Sequence, residues 1–270
     1  MIKRRIKIVI LFIIVVVLFI GGWYMYKRLD YNRQSFAENV YQYVSPKAIQ
    51  VINVNREYNL DELFLYDNSL YELTNILGRK KPVPIVISKY EDGDIVLMTK
   101  VNLDQQNTIK EHIASQVALP FPVKKQQYKD TEVFVYCLPD GTFLACSFYS
   151  GIFVASKSYK QVCDIIDADI DNSFFANSED EEMISRMLER ISVSMYIKSE
   201  KGILALDYSV RSDTIKMNGY LYGSSQSDSL EIKHIFTPYI IDYPSDICVE
   251  SYGITGSNPP AVEIILLTGV

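Results

Sequence analysis

The sequence predicts an α+β fold: one N-terminal transmembrane helix followed by a mainly antiparallel β-sheet domain with interspersed helices. Three observations predict it. Ile8–Tyr26 is an apolar, charge-free run with Lys3, Arg4, Arg5 and Lys7 before it and Lys27 and Arg28 after it. Alternating or β-branched segments then recur in groups, joined by turn sequences such as Asp92-Gly93 and Pro139-Asp140-Gly141. Stretches of helical spacing separate the groups, without the strict strand–helix alternation of a doubly wound sheet.

The apolar run comes first. Residues 8–26 reach about 28 Å as a helix, close to the ~30 Å hydrocarbon layer of a bilayer. Ile8–Ile20 is rich in β-branched residues that favour helix poorly in water. In lipid the backbone has no other hydrogen-bond partner, so helix is imposed. Trp23, Tyr24 and Tyr26 fall where an aromatic interfacial belt stands, and the excess of basic residues before the run places the N-terminus in the cytoplasm. A cleaved signal peptide and a buried core helix are the alternatives. Against cleavage, Phe19, Ile20 and Trp23 crowd the only small pair, Gly21-Gly22. The reading is an anchor at 1–28, a stalk at 29–45, and an α+β domain at 46–243 on the periplasmic or extracellular side of the cell membrane.

Seven of the 27 Lys and Arg and one of the 33 Asp and Glu lie in residues 1–33, leaving 20 against 32 and a net charge of −12 on the remainder. Such a body repels nucleic acid and anionic lipid headgroups. An exported location permits disulfides among Cys137, Cys146, Cys163 and Cys248, but no CxxC spacing suggests zinc or redox chemistry. A tight hairpin about Pro139-Asp140-Gly141 would pair Val135 with Cys146 and set Cys137 diagonally on the same face. That is too far for an easy bridge, so buried free thiols are expected there.

The elements follow in order. The stalk is helical about Ser35–Tyr43, and Pro46 ends it. Ile49–Asn55 alternates and reads as a strand. Asp61–Phe64 and Ser69–Leu77 read as helices; Gly78 suits a left-handed cap after the second. Val83–Tyr90 and Ile95–Leu103 form a hairpin, Gln105–Val117 a helix ended by Leu119-Pro120-Phe121-Pro122. Glu132–Leu138, Phe143–Tyr149 and Ile152–Ser156 form one meander, followed by a short helix at Tyr159–Asp167 capped by Ser156 or Ser158. Glu179–Ile191 carries an apolar stripe and an acidic first turn. Ser192–Ile197, Ile203–Val210 and Ile215–Tyr222 form a second meander; Leu230–Phe236 is a short helix, and Ile247–Ile254 and Ala261–Leu267 are two more strands.

Pro46, Ile49, Val51 and Asn53 share their spacing with Pro244, Ile247, Val249 and Ser251. A repeat would make 244–270 the start of a second unit, truncated in a chain that is a fragment of a longer protein; coincidence is the alternative. The basic N-terminus, the span with Gly21-Gly22 and aromatics, the tyrosine-bearing stalk, and the strand Ile49–Asn55 resemble an uncharacterised bacterial family of single-pass envelope proteins, a domain of unknown function. Phe134–Ile166, with Gly151, Val154 and Ser156, is similar to that family's strand–turn–strand–helix pattern. The resemblance implies an exported β-rich domain and transfers no site residue.

Candidate sites are sparse. Asp167, Asp169 and Asp171 stand at the first, third and fifth places of a calcium loop. However, Asn172 replaces the turn glycine and Ser178 the closing glutamate, so a solvated acidic loop competes with metal binding. His112 and His234 have no ligand partners at local spacing, and serine-nucleophile, zinc-protease, phosphate-loop and dinucleotide patterns are absent. No catalytic residue and no cofactor is assigned. Twenty tyrosines suit either half-buried strand faces or a contact surface, and Tyr196, Tyr208, Tyr220 and Tyr222 form the group to inspect for the latter. The expectation is a membrane-tethered domain for binding, interaction or assembly. Its partners would be the bilayer, through Ile8–Tyr26, and an envelope protein, peptide or glycan. An exported peptide or glycan hydrolase and a calcium-stabilised envelope domain are the alternatives.

Overall fold

The computed structural model describes residues 2–37, 39–56, 58–60, 68–79, 81–168, 170–176, 191–199, 202–211, 214–222, 247–254 and 261–268. The helices expected at Asp61–Phe64, Glu179–Ile191 and Leu230–Phe236 lie outside the described residues, apart from Ile191 itself.

Helix α1 (Ile2–Ala37) contains the apolar run and continues past Arg28 through most of the expected stalk. Every residue from Phe12 to Leu29 is exposed, and this segment is long and apolar enough to cross a membrane. It is apolar on all sides, the distribution of a helix wholly surrounded by lipid or core, and none of the described residues of the sheet domain buries it. The rest of the expected stalk is no spacer. A 3₁₀ turn at Val40–Tyr43 is buried, with Val40 and Val44 fully enclosed.

Among the described residues the body is a twelve-stranded antiparallel sheet. Its strands in chain order are β1 Gln50–Val54, β2 Ile85–Lys89, β3 Ile95–Lys100, β4 Lys124–Tyr128, β5 Thr131–Cys137, β6 Phe143–Tyr149, β7 Ile152–Ser156, β8 Val193–Ser199, β9 Gly202–Arg211, β10 Thr214–Tyr222, β11 Ile247–Ile254 and β12 Ala261–Thr268. The spatial order is β11-β12-β10-β9-β8-β1-β2-β3-β7-β6-β5-β4. Both expected meanders are present, and β1 joins them by pairing with β8 on one side and β2 on the other. β11 and β12 extend this same sheet beyond β10.

Two layers cover the sheet. Alternation sends Ile52 and Val54 of β1 to one face, under α2 (Asn68–Asn75) and α3 (Leu103–His112). Leu70 and Leu73 of α2 and Ile109 of α3 meet Ile85, Ile87, Leu97 and Phe153 there. Val51 faces the other way, under the 3₁₀ turn, α4 (Tyr159–Ile166) and the Phe174-Phe175 pair. Cover on both sides is why all five β1 residues are buried.

This second face carries a polar row. Asn53, Ser194, Asp207, Asn218 and Glu263 pair in register across β1, β8, β9, β10 and β12. Its inner members Asn53 and Ser194 are fully buried, so their polar groups need partners. The Tyr41 hydroxyl lies 3.0 Å from Oδ1 of both Asn53 and Asn55. Asn53 Nδ2 donates to Asn55 Oδ1 at 2.6 Å, and Asn55 Nδ2 to the Ile191 carbonyl at 3.2 Å. Burial pushes the Tyr41 phenol pKa up, so it stays a donor. The network ties the chain just after α1 to the central strand. Tyr41→Phe keeps the ring and removes the donor, so it should cost about 1–2 kcal/mol in chemical denaturation; an unchanged midpoint would contradict this.

Three findings depart from the sequence reading. First, the β5–β6 register is one residue off: Phe134 opposes Cys146, Val135 opposes Ala145, and Cys137 opposes Phe143. The cause is the turn. Leu138 and Thr142 close a three-residue loop with Gly141 at φ +78°, a type I turn with a left-handed third residue. Cys137 and Cys146 therefore face opposite sides and are free, as is Cys163. Burial pushes the Cys146 thiol up to about 12. Native protein at pH 8 should thus leave Cys146 unmodified by iodoacetamide until unfolded; labelling at the unfolded rate would refute its burial. Second, the sequence gives no strand signal at Lys124–Tyr128, yet this polar segment forms the edge strand β4. Its pairing comes from β5 rather than from propensity, and its two lysines suit an open edge. Third, Ile95–Leu103 stops at Lys100 because Asn102 caps α3: its side chain accepts from Gln105 N at 2.9 Å and the Gln105 side chain returns the bond.

Candidate functional site: a cleft between two helices and a hairpin turn

The site is built where α2, the end of α3 and the β5–β6 turn converge. Helix α3 does not continue regularly to Val117. It widens into a π-helical turn at Ile113–Val117, a device found often at functional sites. Ile113 stays fully buried while Gln116 is turned outward. Helix α2 closes at Gly78, φ +73°, where the expected left-handed cap forms. A Cβ at Gly78 would sit 3.2 Å from the His112 ring, a tight contact added to the strain of the left-handed φ. His112 Nε2 lies 3.0 Å from the Asn75 carbonyl at the end of α2. That contact explains a histidine the sequence left without a role: it joins two helix ends.

Between these parts is a cleft of about 700 Å³, within the usual range for small-ligand sites. Leu73, Ile76, Val117, Leu138 and Leu144 supply apolar lining. The rim is polar. Lys157, just after β7, places Nζ 3.2 Å from Glu72 Oε2 and 3.0 Å from Asp140 Oδ2, bridging α2 to the β5–β6 turn. Hydrogen bonds from the Thr142 hydroxyl (2.6 Å) and backbone N–H (2.9 Å), then from Lys157, hold the Asp140 carboxyl down at about 2. Partial burial lowers the Lys157 pKa, but bonds and charge from Asp140 and Glu72 outweigh it and the net shift is upward.

A carboxyl depressed in the folded state contributes stability above its unfolded pKa and loses it as pH falls through the folded value. The Asp140 link should therefore persist at pH 4 and fail near pH 2, as followed by its side-chain carboxyl NMR shift. Titration near pH 4 would contradict the bridge. The same depression bears on hydrolysis. Glu72 and Asp140 share one cleft, but a general acid needs a raised pKa, and Asp140 is shifted the other way.

The sequence-derived candidates lie elsewhere. Asp167 accepts from the Tyr128 hydroxyl at 2.6 Å and pairs with Lys129 at 2.5 Å, so its oxygens serve the β4–β5 turn. The Lys129 and Tyr128 bonds lower its pKa. Asp171 lies on a 3₁₀ turn at Ile170–Asn172, and Asp169 is outside the described residues. Among the described residues, no three potential ligands converge on a metal position. Tyr196 is fully buried, with its ring 5.2 Å from Phe175, and belongs to the core. Tyr220 is exposed and Tyr222 half-buried, with ring centres 6.4 Å apart; the Tyr208 side chain is outside the described residues. Trp23, Tyr24 and Tyr26 are exposed on α1, with Trp23 and Tyr26 ring centres 6.4 Å apart and Lys27 Nζ 5.8 Å from the Trp23 ring.

The sequence offered little notice of the cleft. Its lining comes from four separate segments, and its bridging Lys157 reads as an ordinary turn residue. The Pro-Asp-Gly turn was visible, but its apposition to α2 depends on sheet order.

No family model and no curated protein matches the chain. Two solved structures of a protein named TP0453 are similar to it. Crystal form III aligns with a TM-score of 0.49 at 9% identity, covering 86% of this chain and 95% of that chain. Crystal form I aligns with a TM-score of 0.40 at 10% identity, covering 86% and 92%.

Proposed function

We propose that this protein is a single-pass membrane-anchored binding domain, with its sheet body outside the cytoplasm and its ligand cleft turned away from the bilayer. The observation that carries the reading is the uncovered span. A helix with Phe12, Leu18, Phe19 and Ile20 all more than 60% exposed leaves an apolar surface far larger than a soluble monomer shows. A bilayer supplies the missing cover.

Orientation of the cleft follows from one contact. Arg28, two residues past the span, places Nη2 2.8 and 3.0 Å from the two Asp104 carboxylate oxygens in the first turn of α3. Such an exposed pair stabilises little, and it supports reading that end of the body as the one beside the membrane interface. The Tyr149–Ile152 turn lies at that same end, since Val101 N bonds to the Gly151 carbonyl at 2.9 Å. The cleft lies at the other end of β6, about 20 Å away along the strand.

Protease added to intact spheroplasts tests the topology. The sheet domain should be degraded while a fragment containing residues 8–26 survives in the membrane. A body protected until the membrane is opened would reverse the orientation.

A further inference from the structure

The cleft differs in charge from the body around it. Residues 34–270 carry 20 basic and 32 acidic side chains, whereas the cleft is lined by Arg79, Lys81 and Lys157 against Glu72 and Asp140. The two carboxylates are already engaged by Lys157. Arg79 is exposed and its guanidinium has no ion pair or hydrogen bond among the described residues. The side-chain amides of Asn75 and Gln116 are likewise unengaged among the described residues, and both line the same cleft. What is left to meet a ligand is one planar cation, two amides able to donate and accept, and an apolar lining.

Those groups match one chemistry closely. A guanidinium recognises a carboxylate through paired hydrogen bonds. Carboxamides suit the N–H and C=O of a peptide group. Leu73, Ile76 and Leu144 suit an aliphatic side chain. We propose that the cleft binds the C-terminal end of a peptide chain with an aliphatic last residue. Arg79 receives the terminal carboxylate, Asn75 and Gln116 bond the adjoining peptide groups, and the apolar lining takes the last side chain. The proposal rests on the reading of the cleft as the binding site and adds the class of ligand. A phosphate-bearing ligand would want several free cations, whereas Lys157 is committed to two carboxylates and Lys81 has an interaction of its own.

The test uses the full chain in lipid nanodiscs and a fluorescent tetrapeptide, Ala-Ala-Ala-Leu, made with a free C-terminal carboxylate and with a C-terminal amide. Binding is followed by polarisation. The acid should bind, and the amide about tenfold more weakly or worse. Arg79→Gln should weaken the acid about tenfold and leave the amide unchanged, since an exposed side chain with no partner can be replaced without loss of the fold. Equal binding of acid and amide, or an acid affinity indifferent to Arg79→Gln, would overturn the proposal. So would no binding of either peptide. A photo-crosslinking side chain at Gln116 in intact cells separates the two readings. Adducts there with no peptide binding would retain the cleft as a binding site and remove its peptide assignment; absence of both would remove the binding reading as well.

Discussion

Protein carrying both Val16→Arg and Leu18→Arg should leave the membrane fraction. Each arginine near the middle of a span costs about 2.5–3.5 kcal/mol for insertion on cellular scales. Two together would offset most of the favourable transfer of the remaining Ile, Val and Phe side chains. The described residues of the body do not bury α1 anywhere along Phe12–Leu29. The matched control is Val16→Leu with Leu18→Val, which should stay membrane-bound through alkaline carbonate washing. If the arginine pair also stayed bound, the span would not be what holds the protein to the membrane.

Gly219→Ala should be among the most damaging single substitutions in the sheet. Gly219 lies in β10 opposite Leu206 of β9. A Cβ there would collide with the Ala205 carbonyl oxygen, and would sit 2.7 Å from that carbonyl carbon and 2.8 Å from the Leu206 Cα. These are backbone atoms of a strand paired on both sides, so no side chain can swing away. The expected loss is about 3 kcal/mol or more. Gly93→Ala is the comparison. Gly93 has φ +84° but open space around it, so the cost is the left-handed strain of about 1–2 kcal/mol. Thermal unfolding should rank Gly219→Ala well below Gly93→Ala; equal midpoints would contradict the close strand approach.

How much could be read in advance depended on whether the cause was local. Phe143–Tyr149, Ile152–Ser156 and Ile247–Ile254 match their strands end for end, because β-branched and aromatic runs bounded by turn residues carry their own signal. Gly78 was legible as a cap for the same reason. Lys124–Tyr128 was not, since nothing in Lys-Lys-Gln-Gln-Tyr prefers a strand and only β5 makes it one. Tyr41 and Tyr43 looked like stalk residues. Only the polar pair Asn53 and Asn55, across a fold boundary no pattern reveals, gives Tyr41 its place. The tyrosine group divided for a similar reason: Tyr196 and Tyr220 both oppose Ala205 in one row, but Phe175 covers the first while the second is exposed. Compositional counting has no access to that difference. The cleft was hidden most fully, because the convergence of Glu72, Asp140 and Lys157 is a product of sheet order and helix placement.

Quenching depth tests the central claim most directly. The full chain is placed in liposomes whose headgroups carry nitroxide, with its native cysteines replaced by serine and one fluorophore attached at Ser150→Cys or at Asp140→Cys. Ser150 lies in the turn at the end of the body marked by Arg28 and Asp104, and Asp140 lies beside the cleft at the other end of β6. The account predicts strong quenching at 150 and little at 140, given about 20 Å of strand between them. Stronger quenching at 140 than at 150 would contradict it.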